Sequence, residues 1–122
     1  MAFEVRAVAK YVPLSPRKVR LVVDQVRGRA VDEALVILKF TPKGAAKPVA
    51  KVIKSAIANA EENYGLSRED LYISQIFADV GPTHKRWRAG ARGRVKPILK
   101  RSSHITVVLE EMEEEQATAS RQ

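Results

Sequence analysis

Between Val80 and Leu109 the chain carries Lys85, Arg86, Arg88, Arg92, Arg94, Lys96, Lys100 and Arg101, and no Asp or Glu. These eight cations cannot be packed away as a core, because buried lysine and arginine need partners that the stretch lacks. The chemistry open to them is the gripping of a polyanion. Guanidinium groups bind phosphate in bidentate fashion or lie flat on bases, and ammonium groups replace counterions. Glycines at 81, 90 and 93, with prolines at 82 and 97, favour a bent, slender arm. Ala89 and Ala91 keep its tip, Arg88 to Arg94, thin enough for a crowded nucleic acid. Trp87 offers a ring to stack on a base or to shield the root of the arm. An ordinary solvated loop is the plain alternative; flanking strand patterns, the missing acids and the bulky Trp87 and Ile98-Leu99 weigh against it. The expected partner is nucleic acid, RNA before DNA.

A second basic group lies far away in sequence: Arg6, Lys10, Arg17, Lys18 and Arg20. Ser15 precedes a helical pattern, and a helix N-terminus attracts phosphate through its free N–H groups, so Ser15, Arg17 and Lys18 form a candidate phosphate site. Lys47, Lys51 and Lys54 read as the solvated face of another helix. Catalytic patterns are missing. The two histidines, His84 and His104, have no carboxylate between them to complete a metal site or to orient an imidazole beside Ser102 and Ser103. Glu61-Glu62 and Glu69-Asp70 read as solubilising charge, and no P-loop, GxGxxG or HExxH occurs. Neither an enzyme, a cofactor nor a metal is expected.

The elements that must position these groups follow from periodicity. Phe3, Val5, Ala7 and Ala9 alternate with polar residues as a half-buried strand does. Ser15-Pro16 opens a helix with proline at its first position; Val19, Val22, Val23 and Val26 form its apolar stripe, and Gly28 ends it. Val31, Ala34, Leu35 and Leu38 predict a second short helix, closed before Thr41-Pro42. A third runs from near Ala45 or Ala46 to Asn63-Tyr64-Gly65, with Val49, Ile53, Ala56, Ile57 and Ala60 on one face. From Leu71 to Val80 the residues are β-prone, but Leu71 and Ile73 have opposite parity to Ile76, Ala78 and Val80. Either a bulge or a strand buried on both faces explains that. Ile105, Val107 and Leu109 form the apolar face of a last strand, with His104 and Thr106 on the other. If the strands on either side pair, the arm is a hairpin reaching on the order of 30 Å at roughly 3.3 Å per residue.

The bulk numbers agree with this division. The 122 residues suit one domain, 45% of them hydrophobic, with formal charge +8. From Glu110 onward five acids face one base, so the preceding part holds 21 bases against 9 acids, a net +12. Such a tail has little apolar surface with which to offset ordering entropy and is expected to be disordered. The absence of cysteine excludes disulfides and thiolate sites and fits a reducing compartment. No apolar run suits a signal peptide or a membrane span, so a soluble cytoplasmic protein is expected.

Five segments together resemble one family. Ser15-Pro16-Arg17-Lys18-Val19-Arg20-Leu21-Val22, Ser55-Ala56-Ile57-Ala58-Asn59-Ala60-Glu61, Gly81-Pro82 with Lys85-Arg86, Arg92-Gly93-Arg94, and Ile98-Leu99-Lys100-Arg101-Ser102-Ser103-His104-Ile105-Thr106-Val107 are similar, in order and spacing, to the bacterial large-subunit ribosomal protein twenty-two family. The resemblance spans about residues 3 to 110. It implies an α+β domain over 1–110, with a small three-stranded antiparallel sheet packed with three helices and a long basic β-hairpin at about 80–104. It implies a structural protein that binds large-subunit (23S) rRNA, bridges its domains during assembly and lines the polypeptide exit tunnel. The nascent chain and neighbouring ribosomal proteins are then its further partners, and it is a monomer outside the ribosome. Arg88, Ala89, Gly90, Ala91, Arg92, Gly93 and Arg94 would face the tunnel. Lys85, Arg86, Trp87, Lys96, Lys100, Arg101, Ser102 and His104 would contact rRNA, alongside the group from Arg6 to Arg20. Trp87-Arg88-Ala89-Gly90 departs from the commoner proline- and lysine-containing version, and the tail 111–122 lies outside the pattern.

Two other classes compete on the residues alone. An architectural DNA-binding protein would share the basic β-arm, but needs a dimer and a spare hydrophobic face. A metal-dependent nuclease would need clustered acids, which this arm lacks.

Overall fold

The computed structural model describes residues 4–89, 93 and 95–112; for 84–89 and 95–99 only the backbone is considered. The chain runs β1 (Glu4–Val12), α1 (Pro16–Val26), α2 (Val31–Lys39), α3 (Ala46–Tyr64), a single 3-10 turn (Arg68–Asp70), β2 (Leu71–Val80), β3 (His84–Ala89), β4 (Val95–Lys100) and β5 (Ser103–Glu111). Strands β1, β5 and β2 form an antiparallel sheet in that order, and β3 pairs with β4 in a separate two-stranded ladder. This is the α+β fold expected from the sequence. Phe3 and residues 113–122 of the tail lie outside the described residues.

Helices cover one face of the sheet. α1 packs over β2, α3 over β1 and β5, and α2 against α3. The stripes read from the sequence are buried at Val19, Val22, Val23 and Val26 of α1, at Val31, Ala34 and Leu38 of α2, and at Val49, Ile53, Ala56, Ile57 and Ala60 of α3, while Leu35 of α2 is half-buried at the edge of the core. They meet Val5, Leu71, Ile73, Ile76, Ile105, Val107 and Leu109 from the strands.

Helix ends follow their local chemistry. Pro16 occupies the first turn of α1, where a missing N–H costs nothing. Gly28, at φ 80°, turns the chain so that its N–H donates to the Ile73 carbonyl (2.9 Å) while the Ile73 N–H donates to Arg29 (2.9 Å). Gly65 ends α3 at φ 63°, its N–H reaching the Ala60 carbonyl. Asp32 and Glu33 in the first turn of α2 and Lys39 in its last suit the helix dipole.

The mixed parity of β2 has one cause. Ile73 stands opposite Leu109 and Gln75 opposite Val108, so Ser74 is an extra residue, a bulge. It resets the alternation, and Leu71 and Ile73 point inward together with Ile76 and Ala78. The Ser74 hydroxyl donates to the Val108 carbonyl (3.1 Å). Val80 shares their parity but is 69% exposed at the strand's end.

β5 ends later than the acidic composition suggests. Glu110 and Glu111 pair with Tyr72 and Leu71, and the Tyr72 hydroxyl donates to Glu110 (2.6 Å), so these two acids belong to the sheet rather than to a disordered tail. The hairpin also differs from one unbroken ladder. Pairing between β2 and β5 ends at Val80 and Ser103 and resumes at His84 and Lys100, interrupted by Gly81-Pro82-Thr83 and Arg101-Ser102. The outer ladder has six residues a side, about 20 Å at roughly 3.3 Å each. Arg88 and Ala89 are strand residues within it, opposite Lys96 and Val95.

Candidate nucleic-acid interface

The break in the hairpin forms the root of the arm, and its packing is tight. The Gly81 N–H donates to the Ser102 carbonyl (3.0 Å) and the Ser102 hydroxyl to the Pro82 carbonyl (2.6 Å). A Cβ on Gly81 would lie 2.5 Å from Ser102 Oγ and 3.2 Å from the Ser102 backbone. Glycine is required here by close approach. Ser103 is wholly buried and donates its hydroxyl hydrogen to the Leu14 carbonyl (2.6 Å), so the turn from β1 into α1 is tied to the same root.

That tie brings the two basic groups of the sequence together. One cleft, of about 270 Å³, is lined by Pro13, Leu14, Ser15, Lys18, Lys100 and Arg101. A second, of about 280 Å³, is lined by Pro16, Arg17, Arg20, Val80, Thr83, Arg101 and Ser102. Arg101 borders both, and among the described residues no carboxylate lines either. Arg17, Lys18, Lys100 and Arg101 are exposed. The first turn of α1 opens between them, with no acid in that turn and no side-chain cap from Ser15. Such an arrangement gathers positive charge at the positive end of the α1 dipole, the setting that takes up phosphate.

Neutralised charge lies elsewhere. The ion pairs among the described residues are Arg27–Asp24 (2.7 Å), Arg29–Glu33 (2.8 Å) and Arg68–Asp32 (2.8 Å), and none involves the arm's root.

Other expected contact residues are placed differently. Arg20 donates from Nε and Nη2 to the Ala78 carbonyl (3.2 and 3.1 Å), holding α1 to β2. Ser102 is 6% exposed, its hydroxyl committed to Pro82. Arg6 and Lys10 are exposed on β1, on the sheet face that no helix covers. His104 is half-buried on that face, and its Nδ1 accepts the Tyr11 N–H (3.1 Å). Lys85, Arg86, Trp87, Arg88 and Ala89 lie on β3, Lys96 lies on β4, and Gly93 lies in the turn at φ 73°. The side chains of these β3 and β4 residues, and all of Gly90, Ala91, Arg92 and Arg94, are outside the described residues.

Two features were not visible from spacing. Tyr11 stands at φ 59° beside His104, and only the fold brings the two together. Lys47 and Lys54, read as plain solvated lysines, line a groove of about 1000 Å³ between α2 and α3, with Lys39, Lys43 and Arg68. Among the described residues no three His, Asp or Glu side chains gather as a metal ion would need, and no helix is long and apolar enough to cross a membrane.

A basic cleft at the root of a β-arm can serve many partners, so relatives matter here. The family model described as Ribosomal protein L22p/L17e matches residues 7–110. A protein of Finegoldia magna named large ribosomal subunit protein uL22 is 57% identical over 110 residues, covering 90% of this chain and 98% of its own. Its namesake in a Thermoanaerobacter species is 58% identical over 110 residues, covering 90% and 99%. The Synechococcus protein of that name is 53% identical over 117 residues, covering 96% and 95%. Apart from Arg6, the match takes in both basic groups, the root that joins them and the whole arm, and on that ground the chain belongs to the L22p/L17e family of ribosomal proteins, structural components of the large subunit rather than enzymes.

Proposed function

We propose that the protein binds large-subunit (23S) rRNA through the root of its arm and the first turn of α1, and that the arm continues inward to line the polypeptide exit tunnel. In this reading it acts in the cytoplasm, on the ribosome, beside other large-subunit proteins and the nascent chain. The observation that carries it is the convergence of Arg17, Lys18, Lys100 and Arg101 on two adjoining clefts that hold no acid among the described residues. Those residues come from segments more than eighty positions apart, so one rRNA strand held there would be fixed against both the body and the arm. The mechanism is electrostatic. Each cation that meets a phosphate releases counterions, and RNA segments brought to a common root are held together while the subunit assembles. The slender arm, turning through Gly93, supplies the tunnel wall with backbone and small side chains.

Sedimentation of the tagged protein from its own cell lysate tests the reading. Stoichiometric migration with the large subunit, resisting moderate salt, is expected. Migration as a free dimer or with chromosomal DNA would overturn it. For the tunnel, a photoreactive group at position 91 is expected to cross-link to a stalled nascent chain, whereas cross-links to rRNA alone would place the tip elsewhere.

A further inference from the structure

Tyr11 is the only non-glycine residue at positive φ among the described residues, at 59°. An aromatic side chain rarely adopts this left-handed conformation, which crowds its Cβ against the backbone. Burial does not offset the strain, since the residue is 64% exposed. A strained, exposed aromatic ring is an unusual thing for a fold to maintain, and such outliers concentrate at binding sites.

The surrounding structure enforces it. Ala9 stands opposite Ile105 and Val12 opposite Ser103, so Lys10 and Tyr11 share the single place opposite His104. This bulge lifts the Tyr11 side chain out of the ladder. The Tyr11 N–H donates to His104 Nδ1 (3.1 Å), which leaves the imidazole proton on Nε2. The two rings meet edge to face, with centroids 5.0 Å apart and planes at 90°. A histidine thus props the tyrosine from the backbone and from the ring.

The setting is cationic on the Tyr11 side. Lys10 precedes it and is exposed. Two residues onward, Pro13 begins the cleft that holds Lys18, Lys100 and Arg101. Asp79 is the acid nearby, opposite His104 on β2, across β5 from Tyr11. An exposed ring bordered by cations is the combination that receives single-stranded nucleic acid: the base stacks and the flanking phosphates meet the charges.

We infer that Tyr11, propped by His104, is a stacking platform for an unpaired base of the RNA whose backbone occupies the adjoining cleft. This rests on the rRNA-binding reading above and adds to it a contact made by a face rather than by charge.

The test is filter binding of the full-length protein to protein-free 23S rRNA across a salt series, with thermal melting of each variant. Tyr11→Gly should bind about tenfold more weakly with an unchanged salt slope, because a stacked base is lost and no phosphate contact is. Its melting temperature should equal or exceed the parent's, since glycine accepts φ 59° freely. Tyr11→Phe, which keeps the ring, should bind within about twofold of the parent. Parental affinity in Tyr11→Gly would overturn the inference. So would a salt slope that falls along with affinity, or a melting temperature well below the parent's, which would assign Tyr11 to neighbouring charge or to the fold. Absence of salt-dependent binding by the parent itself would remove the reading beneath, and this inference with it.

Discussion

Gly81 and Arg101 show how differently single residues act at the root of the arm. Gly81→Ala would push a methyl group into Ser102 Oγ, which cannot swing aside without releasing the Pro82 carbonyl. A loss of about 1–3 kcal/mol in urea unfolding is expected, as for overpacking elsewhere. Adding Ser102→Ala should recover part of that loss, since the nearest atom is then gone while the 3.2 Å backbone contacts stay. Arg101→Ala should leave unfolding nearly unchanged but lower the salt slope of rRNA binding by about one, the signature of a lost phosphate contact. What the sequence revealed at this scale was residue type, not commitment. Arg17 and Arg20 look alike on the helix, yet Arg20 is bound to a carbonyl 58 positions away, an acceptor no spacing rule contains. Gly81-Pro82 was legible as a motif, but its physical reason, Ser102 across the root, needed the two strands side by side. Tyr11 carried no signal, because positive φ in a non-glycine residue is imposed by the bulge.

Among the elements, β2 is the one whose pattern was read correctly and left unresolved. Its parity break was visible in the order of apolar residues, but a bulge and two-sided burial predict the same string. Only pairing with β5 separates them, by leaving Ser74 without an opposite residue. Deleting Ser74 would leave Leu71, Ile73, Ile76 and Ala78 in unbroken alternation on the core face, with only the hydroxyl bond to the Val108 carbonyl lost. A destabilisation of only about 1 kcal/mol is expected in urea unfolding, while a loss of about 3 kcal/mol or more would show that the core residues had changed face. The helices were more legible because each buries a single stripe and ends on a glycine, a proline or a threonine-proline pair. The extent of β5 was less so. Glu110 and Glu111 read as tail by charge, while backbone pairing and the Tyr72 hydroxyl hold them in the sheet.

For the whole molecule, core and arm are separable in energy. No residue between Gly81 and His104 belongs to the buried apolar cluster of the described residues, which is supplied by the helices and by β1, β2 and β5. Replacing residues 85–100 with a short glycine-containing turn should therefore leave a single cooperative thermal transition, while rRNA affinity falls steeply at all salt concentrations. Broad, uncooperative melting would show that the arm supports the fold. The division into a neutralising body and a charged extension was legible in composition alone, because eight cations without an acid have no interior solution. The meeting of that extension with the start of α1 was not, since Ser103 and Leu14, which enforce it, are a small polar residue and a loop residue with no pattern of their own.

The order β1-β5-β2 carries a mechanical consequence. Tension applied to the arm enters the body at Val80 and Ser103 together, so β2 and β5 are drawn as one piece. The seam that must bear the load is then β5 against β1, pulled parallel to its own length, with its backbone bonds strained in unison rather than opened in sequence. A protrusion anchored in this way can be tugged, by a moving polymer or by a shifting wall, without unravelling the domain that holds it.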